Sequence, residues 1–206
     1  MALSQITVVT KTEIKVIGFL LNDQFSKMDE QEDFSVGRGT SITSKMENMI
    51  SRVIGSGYLK KILTNTLLHV INGDYNFELD PEKLTGNNEK EKKKRIEKNL
   101  NNLIDICQKL LAEFTNEESI LLIPKPIQKI AQINQFLAML KNPKSSIAIV
   151  GGYLILRLIN PAIITPIEYK IVPKSTKISP QAQKNLKIIT LILQKLVIFL
   201  IQFILF

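Results

Sequence analysis

Two arginines in this chain sit in settings that point to chemistry. Arg38 lies between two glycines, Gly37-Arg38-Gly39, just before a helix start. A loop arginine is ordinarily a solubilising charge, and the flanking glycines make this setting flexible. Arg157 is embedded in the apolar run YLILRLINPA. A cation placed there without partners is costly to desolvate, so Arg157 must either hold a loop or make an ion pair. A guanidinium suits both tasks, being a planar, permanently charged fork of N–H donors.

Other reactive groups are sparse. The single His69 falls on the apolar side of a helix end and reads as a packed or partly exposed residue, not a catalytic base. Cys107 falls on an apolar stripe and reads as a buried spacer. One cysteine excludes an internal disulfide, and one Cys with one His excludes a Cys/His zinc site; no metal and no cofactor are expected. The absence of a G-x-x-x-x-G-K-S/T loop excludes a P-loop hydrolase, and GSGY at Gly55 to Tyr58 is too short for a dinucleotide fingerprint. The run EKEKKKRIEK (Glu89 to Lys98) interleaves acids with bases at helical spacing and reads as a solvated helix face. No aromatics alternate with these bases, so no nucleic-acid partner is expected.

These residues must be positioned by helices. With 206 residues the chain is read as one domain, 1–206, and its 45% apolar content can build a core. Apolar residues at Ile42, Met46, Met49, Ile50, Val53 and Ile54 predict a helix with Thr40 or Ser41 as N-cap, broken at Gly55 and Gly57. A second stripe runs from Tyr58 to Ile71 and stops at Asn72-Gly73. After the turn-rich NFELDPEKLTGNN comes a long helix with Ile96, Leu100, Leu103, Ile104, Cys107, Leu111 and Phe114 on its apolar face. Pro124 and Pro126 open another, in which Ile127, Ile130, Ala131, Phe136, Leu137 and Leu140 can pack inward before Asn142-Pro143. The stretch SSIAIVGGYLILRLINPAIITP is apolar nearly all round and belongs at a bundle centre, with Pro161 ending or kinking it. Ser179-Pro180 caps a last helix through Leu196. The expected fold is all-α, a helical bundle with no β-sheet.

The excess of 27 Lys+Arg over 19 Asp+Glu gives a formal charge of +8, which attracts an acidic partner. The N-terminus lacks a basic region followed by a long apolar core, and an unpaired cysteine suits a reducing compartment, so the expectation is cytoplasmic. The uncharged run after Lys195 is about 11 residues long, against about 20 for a membrane span.

Three blocks together resemble the catalytic domain of Ras GTPase-activating proteins. ILRLINPAIITP is similar to the family's F-L-R-x-x-x-P-A signature, through Ile155, Leu156, Arg157, Asn160, Pro161 and Ala162. GRGTSITSKMENMISRVIGSGYLKKIL resembles the finger-loop block, and FELDPEKL (Phe77 to Leu84) resembles the E-x-D-P-x-K-L link. The similarity runs from about residue 12 to about 195, in family order. The apolar tail 196–206 departs from it, so the domain is expected to be truncated or mis-ended there.

The resemblance implies an all-α domain that docks on a GTP-loaded Ras-type small GTPase, with no small-molecule substrate of its own and membrane contact only through that partner, at the inner face of the plasma membrane. It implies a GTPase activator, not an enzyme with an independent active site. Arg38 matches the arginine finger that enters the partner's active site; Arg157, with Thr40 at the finger-loop helix start, matches its support. Leu156, Asn160, Pro161 and Gln194 match the GTPase-binding groove. Where the family carries a lysine three residues before the glutamine, this chain has Leu191. The alternative is a catalytically weak or inactive scaffold of the IQGAP type, which binds small GTPases without stimulating hydrolysis.

Overall fold

The computed structural model describes residues 12–27, 41–84, 88–141, 143 and 146–205, with side chains as far as Leu196 and at Phe199. Every regular element among these residues is helical. In chain order they are α1 (Glu13–Ser26), α2 (Ile42–Ile54), α3 (Ser56–Asn72), α4 (Glu89–Thr115), α5 (Glu117–Leu121), α6 (Lys125–Lys141), α7 (Ser146–Ile164) and α8 (Pro180–Leu205). Leu59, Leu63, Leu67, Ile106, Leu110, Ile127, Ile130 and Leu158 are sealed from solvent in one continuous core.

Helices α1 and α5 are absent from the sequence reading. In α1 the apolar residues are too crowded to show a period, yet only Ile17, Leu21 and Phe25, four apart, are its buried apolar side chains. The last helix also runs beyond Leu196, to Leu205, and Phe199 on that extension is 63% exposed.

Three helices are rotated from the faces their apolar spacing predicts. Helix α2 buries Thr43, Met46, Glu47, Ile50 and Ser51, and leaves Ile42 and Val53 exposed. Helix α4 buries Asn99, Leu103, Ile106, Cys107 and Leu110, with Leu100 and Ile104 exposed. In α6, Asn134 points inward while Phe136 and Leu140 face solvent. The reason is shared: an inward polar residue finds its own hydrogen-bond partner, which removes the usual cost of burying it. Asn99 Nδ2 donates to Glu78 O at 2.8 Å, and Asn134 Nδ2 donates to Glu47 Oε1 at 3.0 Å. By contrast, the charged run at the start of α4 is solvated as its spacing predicts.

The segment after α3 is fixed by side chains, not by a sheet. Asn185 on α8 donates to Tyr75 O at 2.8 Å and accepts from Phe77 N at 3.1 Å, burying the Phe77 ring. Asp80 accepts from Glu82 N at 3.0 Å and pairs with Lys83 at 3.0 Å, closing the turn around Pro81.

Helix α7 packs against α2, α3, α6 and α8, and by length and composition it alone among the described residues could cross a membrane. Pro161 does not end it. From Tyr153 to Ile159 the helix winds in the wider π pattern, with the Asn160 N–H reaching Ile155 O, five residues back. The wider turn makes room for the pyrrolidine ring, and Pro161 then opens a last α-turn, Asn160–Ile164, whose end is closed by Thr165 N donating to Pro161 O at 3.0 Å.

The break at Gly55 is a packing requirement. A Cβ there would strike Ser51 O and sit 3.0 Å from Leu158 Cδ1 and 3.1 Å from Ile127 Cδ1. Gly57, inside α3, has open space around it. Gly55→Ala is expected to cost about 1–3 kcal/mol through overpacking, whereas Gly57→Ala should be neutral or stabilising. Thermal melts of the two variants check this.

Candidate functional site

The C-terminal half of α7 and the middle of α8 form the two walls of an open groove of about 550 Å³. Leu156, Arg157, Asn160 and Pro161 line one wall, and Thr190, Leu191 and Gln194 the other. Ile164 and Thr165 also line it. All four groove residues expected from sequence, with Arg157, therefore share one cleft. Arg38 and Thr40 lie outside the described residues.

The walls are tied together by Asn160. Its Nδ2 donates to Thr190 O at 3.2 Å, while its Oδ1 is buried without a hydrogen bond. This amide is spent on spacing α7 from α8. Leu191 projects from α8 at 56% exposure, so an uncovered apolar side chain stands at the position where the resembled pattern carries a lysine.

Arg157 is half-buried on the π-wound stretch. Burial pulls its pKa below the ordinary guanidinium range, and the Glu47 charge opposes that shift. Glu47 faces it from α2 and is 6% exposed. Desolvation pushes the Glu47 carboxyl up to about 7, against the Asn134 hydrogen bond and the Arg157 charge, which both pull it down. Two neutral groups complete the cluster: the Ser51 hydroxyl and Tyr153 phenol sit side by side, shut from solvent, neither with a well-formed hydrogen bond. Sequence reasoning missed Glu47 and Asn134. The only trace was an acid beside Met46 with small polar residues, Thr43, Ser44 and Ser51, three and four positions away on its own side of the helix.

The start of α2 is anchored well. Ser41, not Thr40, is the N-cap: its Oγ accepts from Ser44 N at 3.1 Å. The same hydroxyl donates to Gln24 Oε1 on α1 at 3.1 Å, and Thr43 Oγ1 contacts Leu20 O at 3.4 Å. The chain arriving from residue 40 thus enters a fixed helix end. The remaining reactive groups stand apart from the groove. His69 is exposed, with Nε2 2.6 Å from the Tyr75 hydroxyl, and burial pushes the Cys107 thiol up to about 11, far from a reactive thiolate. No cluster of His, Cys, Asp or Glu able to hold a metal occurs among the described residues.

Residues 7–197 match the family of GTPase-activator proteins for Ras-like GTPases, and the chain belongs to that family. It is 30% identical over 198 residues to Neurofibromin-A of Dictyostelium discoideum, covering 91% of this chain and 21% of that protein. It is 27% identical over 179 residues to human Ras GTPase-activating protein 1, covering 85% of this chain and 16% of that protein. The chain therefore spans about a fifth or less of the length of these relatives.

Proposed function

We propose that this chain is a GTPase-activating domain that docks on a GTP-loaded Ras-type small GTPase and stimulates hydrolysis by supplying Arg38 in trans. The observation that carries the reading is the groove, which gathers Leu156, Arg157, Asn160, Pro161 and Gln194 beside the helix that follows Arg38. Leu156 and Pro161 offer the partner apolar contact, and the Gln194 amide offers a donor and an acceptor. Arg157 holds the segment carrying Arg38 through its backbone carbonyls. Arg38 then neutralises charge that spreads over the transferred phosphoryl oxygens, at the moment of transfer and not before. For arginine fingers of activators of this class that contribution is about 10³–10⁵ in rate. The net charge of +8 favours encounter with an acidic surface. The setting we infer is cytoplasmic, with membrane contact made by the partner.

Leu191 favours a second reading, in which the chain binds such a GTPase weakly, or holds it without stimulating it. Single-turnover GTP hydrolysis by a panel of Ras and Rap proteins, with and without the chain, separates the two. Stimulation supports the activator; binding to the GTP-loaded form without stimulation replaces it with the scaffold; neither result removes both. Leu191→Lys is expected to tighten binding to the GTP-loaded partner by about three- to tenfold, since it adds a cation at the rim of the groove in place of an exposed apolar side chain. Titration of the two proteins against the same GTPase checks this.

A further inference from the structure

Charge is unevenly divided along this chain. Residues 1–118 hold sixteen Lys and Arg against eighteen Asp and Glu, whereas residues 119–206 hold eleven against a single acid, Glu168. That acid is already paired with Arg52 on α2, at 3.7 Å. The positive excess therefore belongs to the part of the chain that builds the groove. It is densest in the connection from α7 to α8 and the start of α8, at Lys170, Lys174, Lys177, Lys184 and Lys187. All five are exposed, and none is in an ion pair among the described residues. Lys187 lines a second cleft, of about 490 Å³, which shares Ile164 and Thr165 with the groove. The lysine surface thus adjoins the groove without lining it.

The connection that carries these charges is firmly seated. Tyr169, Ile171 and Val172 are buried, Thr64 Oγ1 on α3 donates to Ile171 O at 3.1 Å, and Gln183 Nε2 donates to Ile164 O at 2.9 Å. Lys170 is held outward between buried neighbours with a φ of 57°, in the left-handed region that glycine or asparagine occupies at lower cost. A lysine kept where the backbone favours glycine points to a use for its charge. The residue type narrows the partner. Specific protein interfaces are depleted in lysine and draw on arginine, whose planar fork fixes geometry. The compact, hydrated charge of lysine suits a diffuse anionic surface, and an anionic lipid leaflet attracts such clusters. We propose that this lysine surface rests on anionic lipid headgroups, adding a contact of the chain's own to the one made by its partner. The lipid contact stands independently of the activator reading; it rests on that reading only for its consequence, which is to hold the neighbouring groove beside a membrane-bound GTPase.

Binding of the intact chain to vesicles of phosphatidylcholine alone, and of phosphatidylcholine with about 30% phosphatidylserine, tests the proposal. The chain should bind the anionic vesicles at least about tenfold more tightly, and the difference should shrink as salt is raised. Each lysine at such a surface is worth about fivefold in affinity, so the triple variant Lys170→Gly, Lys174→Gln, Lys177→Gln should lose at least about thirtyfold. A control that loses the same charge elsewhere, Lys92→Gln with Lys93→Gln and Lys94→Gln, should stay within about threefold of wild type. Equal affinity for the two kinds of vesicle, or equal losses in the two triple variants, overturns the proposal. Lys170→Gly alone separates charge from fold. It should melt no lower than wild type, because glycine relieves the left-handed backbone, and yet bind anionic vesicles more weakly. A lower melting temperature with unchanged binding would show that Lys170 serves the fold, and would overturn its part in the surface. Without vesicles, the first triple variant at saturation should stimulate a soluble GTPase as wild type does; a loss there assigns the surface to the GTPase and overturns the lipid contact. If wild type stimulates no GTPase but binds vesicles in this pattern, the activator reading fails and the lipid contact stands.

Discussion

Replacing Arg38 by alanine is expected to lower stimulated GTP hydrolysis by at least about two orders of magnitude while leaving complex formation nearly intact. The reason lies in when the charge is needed. If Arg38 is the finger we propose, it adds little in the ground-state complex, where groups of the GTPase already neutralise the phosphoryl oxygens. In the transition state, charge moves onto oxygens that a guanidinium fork can reach. Arg38→Lys should rescue poorly, since a compact, strongly hydrated ammonium cannot reproduce the planar fork. Single-turnover assays with saturating activator separate the two effects. Equal rates for wild type and Arg38→Ala would remove Arg38 from the mechanism, and a parallel loss of binding would make it a docking residue instead.

Arg157→Ala should damage both stability and activity, and the stability loss should depend on pH. If Arg157 serves loop carbonyls as proposed, losing its donors costs about 1–3 kcal/mol at any pH. Glu47 adds a second loss with a definite sign. Its folded-state pKa, about 7, lies above the ordinary glutamate value, so the folded protein binds the proton more tightly than the unfolded chain. Its contribution to stability therefore falls as pH rises toward 7, and levels off above it. Without Arg157 the folded-state value climbs further and the fall continues to higher pH. The gap between wild type and Arg157→Ala should be narrow at pH 6, where Glu47 takes up a proton, and wider at pH 8. Denaturant midpoints at the two pH values measure it. A constant gap would mean that Glu47 does not feel Arg157; an unchanged midpoint with unchanged stimulation would mean that Arg157 is simply tolerated where it lies. On the proposed reading, in which Arg157 braces the segment carrying Arg38, stimulated hydrolysis by this variant should drop by at least about tenfold.

The parts of the site that were legible in the sequence are those in which a residue violates its surroundings. Arg157 in an apolar run and Pro161 inside a helical pattern stood out from the residues themselves, whereas the placing of Leu156, Asn160, Pro161 and Gln194 in a groove came only through the family resemblance. Glu47 was not legible, because its position depends on the rotation of α2. That rotation is fixed by Asn134, 87 residues further along the chain, and a count of apolar spacings within α2 cannot register it. The same limit misplaced Ile42, Leu100 and Phe136, each on a helix whose inward face is shared with a polar residue. Asn160 was legible as a groove residue, but not as the tie to Thr190 that sets the groove's width. Helix α1 was hidden for the opposite reason: its apolar residues are so dense that no face stands out.

The seven residues of π winding in α7 have a consequence for how this helix can change over evolutionary time. An α-helix turns about 100° per residue, and the wider π winding turns less. The stretch therefore fits an additional residue between Ser146–Gly152, which packs on α6 and α8, and Asn160–Ile164, which packs on α3 and α8, while keeping both ends in register with their neighbours. Removing one residue between Tyr153 and Ile159 would let the helix relax to ordinary winding with its two ends still nearly in phase, because the angle regained by each remaining residue offsets the residue lost. The burial of Ala148 and the bond from Asn160 to Thr190 should both survive such a deletion. Its effect is confined to the wound stretch, where Arg157 would be set at a different angle to the groove. This stretch is thus where the helix tolerates a change in length, and the cost of that change falls on Arg157.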